Sequence, residues 1–183
     1  MKPFKTLLLL LALAVAGGGL FVASGIYDIG ADAPHTRPVE LLIAALRERS
    51  IERHAASIQT PPLDDPKLIA EGAEHYAAMC SGCHLAPGMA DNELRPGLYP
   101  QPPLLYRHSH ENPAEQFWII KHGIKLTAMP AWGPTHDDQA IWGMVAFLQK
   151  LPSLSAEQYA QMTAHAEEEH EHHHEAEPLK GGS

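Results

Sequence analysis

Two cysteines and a histidine carry the strongest chemical signal in this chain. Cys80-Ser81-Gly82-Cys83-His84 is a C-x-x-C-H run, and Cys80 and Cys83 are the only cysteines in 183 residues. Thiols at this spacing suit addition to the two vinyl groups of a haem, and the adjoining imidazole is then placed to bind iron. Small residues at Ser81 and Gly82 let the backbone pass close to a porphyrin edge. Two competing chemistries use the same residues. A thioredoxin-like dithiol needs a βαβ setting, and no strand-rich pattern surrounds this one. A zinc site would need two more ligands from the histidines. Two cysteines are too few for a disulfide scaffold, a four-cysteine zinc site or an iron–sulfur site.

A second iron ligand is expected further along. Met129 stands before Pro130 in the run Lys125-Leu126-Thr127-Ala128-Met129-Pro130-Ala131-Trp132-Gly133, between two predicted helices. A thioether is a soft ligand that favours ferrous iron and raises the reduction potential. His108, His110, His122 and His136 are the alternatives to it. Met79 and Met144 fall in helical patterns and read as core filler. Tyr99, Tyr106, Arg107 and Trp132 are candidate partners for haem propionates.

Three helices are predicted to position these groups. Asp65-Pro66 is a cap followed by a first-turn proline, and Leu68, Ile69, Gly72, Ala73, Tyr76 and Cys80 then fall on neighbouring faces. Asn112-Pro113-Ala114-Glu115 opens a second helix that Gly123 closes, with Phe117, Ile120 and Ile124 inward. Thr135 is expected to cap the third, which runs to Lys150 ahead of Pro152 and carries Ile141, Trp142, Val145, Phe147 and Leu148.

With these motifs placed, residues 66 to 151 resemble a mono-haem class I cytochrome c. The Gly-Ile-Lys-Leu-Thr-Ala-Met-Pro-Ala-Trp run at 123–132 is similar to small bacterial cytochrome c domains, including those of cbb3-type oxidase subunits. The resemblance implies an all-α class I fold of three main helices and loops around one covalent haem c. It implies His84 as proximal ligand and Met129 as distal ligand. It also implies a Pro-x-Leu carbonyl that accepts the proximal histidine's Nδ1 proton; Pro96, Pro102 and Pro103 all fit, with Pro102 or Pro103 preferred. By the same resemblance the first and last helices cross at a small residue and an aromatic, here Gly72 and Tyr76 against Trp142 or Val145.

The ends of the chain read differently. Lys2 and Lys5 precede an uncharged apolar stretch from Leu7 to Ile26, long enough as a helix to span a bilayer core of about 30 Å. We favour an uncleaved signal anchor over residues 1–26 to a cleaved leader, although Ala14-Val15-Ala16 and Val22-Ala23-Ser24 resemble cut sites. The positive-inside tendency keeps the lysines cytoplasmic and puts the rest in the periplasm, on a single-pass inner-membrane protein. Residues 27–62 are expected to form a juxtamembrane amphipathic helix and a linker. Val39, Leu42, Ile43, Leu46, Ser50, His54 and Ile58 make its face, packed on the main domain or lying on the membrane. The haem domain is assigned to 63–152. Residues 153–183 form a His/Glu-rich tail expected to be disordered, of which 165–183 supplies −5 of the net charge of −9. That acidic balance excludes a typical nucleic-acid binder.

The expected function is outer-sphere electron transfer by a six-coordinate His/Met haem, not an enzyme. Its transient partners are expected to be a quinol-oxidising complex, a terminal oxidase or a periplasmic reductase. One alternative is a copper-handling protein whose tail binds copper or zinc through His170, His172, His173 and His174. Another is a haem enzyme or gas sensor in which Met129 is off the iron.

Overall fold

The computed structural model describes residues 2–107 and 112–164. Within them the chain is helical, with no strand among the described residues. It divides into two compact units, 1–34 and 35–183.

The first unit holds α1, Lys2–Ser24. Its stretch Pro3–Ser24 has a mean hydropathy of 2.4 and none of it is buried, so it has the length and composition of a membrane-crossing helix. A run of 23 helical residues extends about 35 Å.

The second unit begins with α2, Arg37–Ala55, and continues with α3, Pro66–His75. Asp65 caps α3 by accepting from the Lys67 N–H, with Pro66 in the first turn, as the sequence signals predict. The helix does not simply run on to the cysteines. Tyr76–Cys80 is a π-helical turn in which the Ser81 N–H donates to the Tyr76 carbonyl, and the short α4, Ser81–His84, follows. Next come a 3-10 turn at Arg95–Gly97, α5 at Pro113–His122 and α6 at Asp138–Lys150. A 3-10 turn at Leu151–Ser153 leads to α7, residues 156–164.

The crossing of α3 and α6 is the centre of the core. A Cβ on Gly72 would lie 1.9 Å from the Gly143 carbonyl oxygen, so the two helix backbones touch there. Ala73, Ile141, Met144, Val145 and Phe147 are buried around that contact. The small partner of Gly72 is therefore Gly143, not Trp142 or Val145. Tyr76 instead packs on Phe147, with ring centroids 5.3 Å apart, while Trp142 stacks on Phe117 at 4.3 Å. Trp142 and Val145 point to other faces of the helix, and it is the missing Cβ of Gly72 that admits so close an approach to the Gly143 backbone.

Three further expectations need correction. Asp137, not Thr135, caps α6 by accepting from the Ala140 N–H at 2.9 Å. Thr135 is held one turn earlier, its N–H donating to the Trp132 carbonyl. In α2, Leu42 and Leu46 are exposed, whereas Ile51 and Ala55 are buried. This helix belongs to the same compact unit as the cysteine motif, and His54 stacks on Trp118 of α5 at 5.3 Å. Finally, the tail assigned to 153–183 starts too early. In α7, Tyr159 and Thr163 are buried, and Tyr159 packs against Tyr76 and Phe147. Residues 165–183, with the tail histidines, lie outside the described residues.

Candidate functional site

The π turn and α4 set the cysteine motif. Ser81 Oγ donates to the Ala77 carbonyl at 2.7 Å, which locks the helical run leading into Cys83 and His84. The run ends at Leu85, whose φ of 56° lies in the left-handed region that a branched side chain rarely adopts. The buried Tyr76 hydroxyl donates to the Leu85 carbonyl at 2.6 Å and holds that conformation. Cys80 and Cys83 are both free thiols. Burial, and secondarily Cys83, push the Cys80 thiol up to about 12, so it is a neutral S–H at physiological pH.

His84 Nδ1 donates to the Pro103 carbonyl at 2.8 Å, which leaves the Nε2 lone pair as the ring's available donor. Burial lowers the His84 pKa most, the Pro103 bond raises it and nearby Arg95 lowers it. Of the two favoured prolines, Pro103 meets the histidine. The Pro102 carbonyl is taken by Arg95, whose Nη1 donates to it at 3.1 Å and also to the Cys83 carbonyl.

Arg95 was not singled out from the sequence. It is 4% exposed, and its Nε lies 3.0 Å from the Asp91 carboxylate in an ion-pair contact that lacks hydrogen-bond alignment. It ties the cysteine motif to the proline loop next to the His84–Pro103 contact. A lone arginine in a polar loop carries no sequence signal of such a role.

The Met129 loop is held as firmly. The Ile124 N–H donates to the Met129 carbonyl at 3.1 Å, the Met129 N–H donates to Thr127 Oγ1 at 3.0 Å, and Thr127 Oγ1 donates to the Ile124 carbonyl at 2.7 Å. Gly123, at φ 67°, closes α5 so tightly that a Cβ there would lie 2.7 to 2.8 Å from the backbone of residues 129–131. The Trp132 and Gly133 N–H groups donate to the Ile120 and Lys121 carbonyls, fastening the far end of the loop to α5.

Cys80, Cys83, His84 and Met129 line one cavity of about 480 Å³. Its walls are largely apolar, with Ile120 from α5, Met144 and Leu148 from α6, and Pro103, Trp132 and Met79 around them. Met79 and Met144 thus serve as core and as cavity wall. Gln116 also lines it, its side-chain oxygen accepting from Gln149 Nε2 at 2.6 Å. Unexpectedly, α2 adds Arg47, Glu48 and Ile51. Pro102 and Trp132 line the cavity, but Tyr99, Tyr106 and Arg107 do not. The Tyr99 hydroxyl accepts from the His35 N–H, and the Arg107 guanidinium lies over the Tyr106 ring. His122 and His136 are not on the cavity wall, and His108 and His110 lie outside the described residues. An apolar slot with two thiols, an oriented imidazole and a thioether on its walls has the donor set that a haem requires.

Residues 67–148 match the family model described as cytochrome C oxidase, cbb3-type, subunit III. That match and the helical architecture support a c-type cytochrome domain of the all-α class I fold at these residues, in a chain that also carries an apolar N-terminal helix. No curated protein and no solved structure matched the chain.

Proposed function

We propose that the c-type cytochrome domain at residues 67–148 carries one haem c and works as an anchored electron carrier in the periplasm, not as an enzyme. What supports this reading most is the convergence of Cys80, Cys83, His84 and Met129 on one apolar cavity. When bound, the haem supplies reversible one-electron ferric–ferrous chemistry.

The side chains around it each have a part. Cys80 and Cys83 would hold the haem as thioethers, each thiol adding its S–H across one vinyl group, and Cys80 is in the protonated state. His84 would offer Nε2 to the iron, while the Pro103 carbonyl fixes the plane of the ring and raises its basicity. Met129 would offer its thioether to the iron from a loop whose backbone is held by hydrogen bonds to Thr127 and Ile124. Ile120, Met144 and Leu148 would cover the ring with apolar surface, so that its change of charge would take place in a low-dielectric site. A haem iron held by both His84 and Met129 would leave no site for substrate. Electrons enter and leave by the edge near Cys83, through small transient interfaces.

The anchor α1 keeps the carrier beside membrane complexes, with Lys2 and Lys5 on the cytoplasmic side. A quinol-oxidising complex is the proposed donor, and a terminal oxidase or periplasmic reductase the acceptor. The optical spectrum of the purified protein tests this reading. A far-red sulfur-to-iron charge-transfer band in the ferric state and slow carbon monoxide binding in the ferrous state are expected. Rapid carbon monoxide binding by the native ferrous protein would instead place it with sensors or haem enzymes.

A further inference from the structure

The wall that α2 contributes lies outside the segment that matches the family model, which starts at residue 67. Arg47 is the only permanent cation among the described residues lining the cavity. Its side chain is 35% exposed, so it is partly covered while it lines the cavity. Glu48 engages one side of the guanidinium, accepting from Nε at 2.9 Å with Nη2 at 2.8 Å. Nη1 has no partner among the described residues. The helix that carries Arg47 is fixed to the domain, since Ile51 and Ala55 are each 3% exposed and His54 stacks on Trp118.

A haem is apolar over its ring and carries carboxylates at one edge. The cavity wall meets the ring with apolar side chains, and a carboxylate brought into that setting without a partner loses hydration at a large cost. A guanidinium fork is the side chain best matched to a carboxylate. The buried Arg95 is committed to the Cys83 and Pro102 carbonyls and to Asp91.

We propose that Arg47 pairs with a haem propionate, so that α2 completes the haem site and its positive charge raises the reduction potential. This rests on the haem reading above. Glu48 shares the guanidinium and lowers the field that the haem feels.

The test is spectroelectrochemical titration of the holoprotein and of its Arg47→Gln, Arg47→Lys and Glu48→Gln variants, with haem content checked in each. Arg47→Gln is expected to lower the reduction equilibrium constant about threefold, within the range for a partly exposed ion pair. That shift equals about 28 mV at 59 mV per decade for one electron. Arg47→Lys restores most of it, and Glu48→Gln shifts the potential upward. A purely structural role for Arg47 would not give opposite signs at neighbouring positions. Haem-loaded Arg47→Gln with the wild-type potential overturns the proposal. Should Arg47→Gln fail to fold or load, Glu48→Gln decides: an upward shift supports the pairing, and no shift overturns it. A wild-type protein without haem would instead sink the underlying functional reading.

Discussion

Replacing Gly72 by alanine adds one methyl group at the tightest helix contact in the domain. The new Cβ would lie 1.9 Å from the Gly143 carbonyl oxygen, 2.3 Å from its carbon and 2.9 Å from the Met144 nitrogen. All three are backbone atoms, so no side chain can rotate away. Restoring ordinary contact at 3.4 Å means parting α3 from α6 by about 1.5 Å, and a gap of only 0.5–1 Å already forfeits roughly a quarter to a half of a dispersion contact. Ala73, Met144, Val145 and Phe147, all fully buried, share that loss. Overpacking of this kind costs about 3 kcal/mol or more, against a gain in helix propensity of about 1 kcal/mol for leaving glycine. The net cost is about 2 kcal/mol or more, a fall in Tm of roughly 8–16 °C for a domain of this size.

Gly143→Ala is the control from the opposite helix. Its Cβ would meet the Leu68 carbonyl oxygen at 3.1 Å and nothing else closer than 3.5 Å. A shift of a few tenths of an ångström relieves that, and the propensity gain offsets most of it, so the net change is within about 1 kcal/mol. Thermal melts of the two haem-loaded variants followed by far-UV circular dichroism measure the difference. A Gly72→Ala protein that melts with the wild type, or a Gly143→Ala protein that is equally damaged, would refute the reasoning.

Three further outcomes are expected. Tyr76→Phe leaves the buried Leu85 carbonyl without its donor at a residue of strained backbone, and should cost about 1–3 kcal/mol in urea unfolding; a loss under about 0.5 kcal/mol would show that the bond holds nothing. Arg95→Ala removes the bonds to the Cys83 and Pro102 carbonyls, with an expected loss of about 3 kcal/mol, to which the exposed Asp91 carboxylate adds little. Arg95→Lys recovers only part of it, since an ammonium lacks the fork, and full recovery in urea melts would contradict the two-carbonyl role. Burial, then the neighbouring His136, hold the His75 pKa below its ordinary 6.5, while Glu74, Glu71 and Asp137 act the other way. The unfolded chain therefore binds the proton more readily, and stability falls as pH drops through 6.5 toward the lower folded value. His75→Gln should flatten that slope, and identical profiles for the two proteins would exclude His75 as its source.

The parts of the site legible in the sequence are those governed by short-range rules. The C-x-x-C-H spacing, the Met129-Pro130 loop, the Asp65 and Asn112 caps and the Gly123 stop each depend on a few adjacent residues. What escaped depends on contacts between distant segments. The π turn at Tyr76–Cys80 shifts the hydrogen-bond register by one residue, and no residue type marks it. Gly143 sits between Trp142 and Met144, and only the approach of α3 reveals it as the crossing point. In α2 the larger residues Leu42 and Leu46 suggested the inward face, but packing against α5 selects Ile51 and Ala55. That rotation is what carries Arg47 to the cavity, and Arg95 gains its role only when the proline loop folds back on the cysteine motif.

The covalent state of the cysteines tests the central claim most directly. Protein matured in a host with haem-attachment machinery should have an intact mass increased by one haem, give the pyridine haemochrome spectrum of a two-thioether haem, and lose that spectrum when Cys80 and Cys83 are both replaced by serine. A colourless product with an unmodified mass would contradict the account.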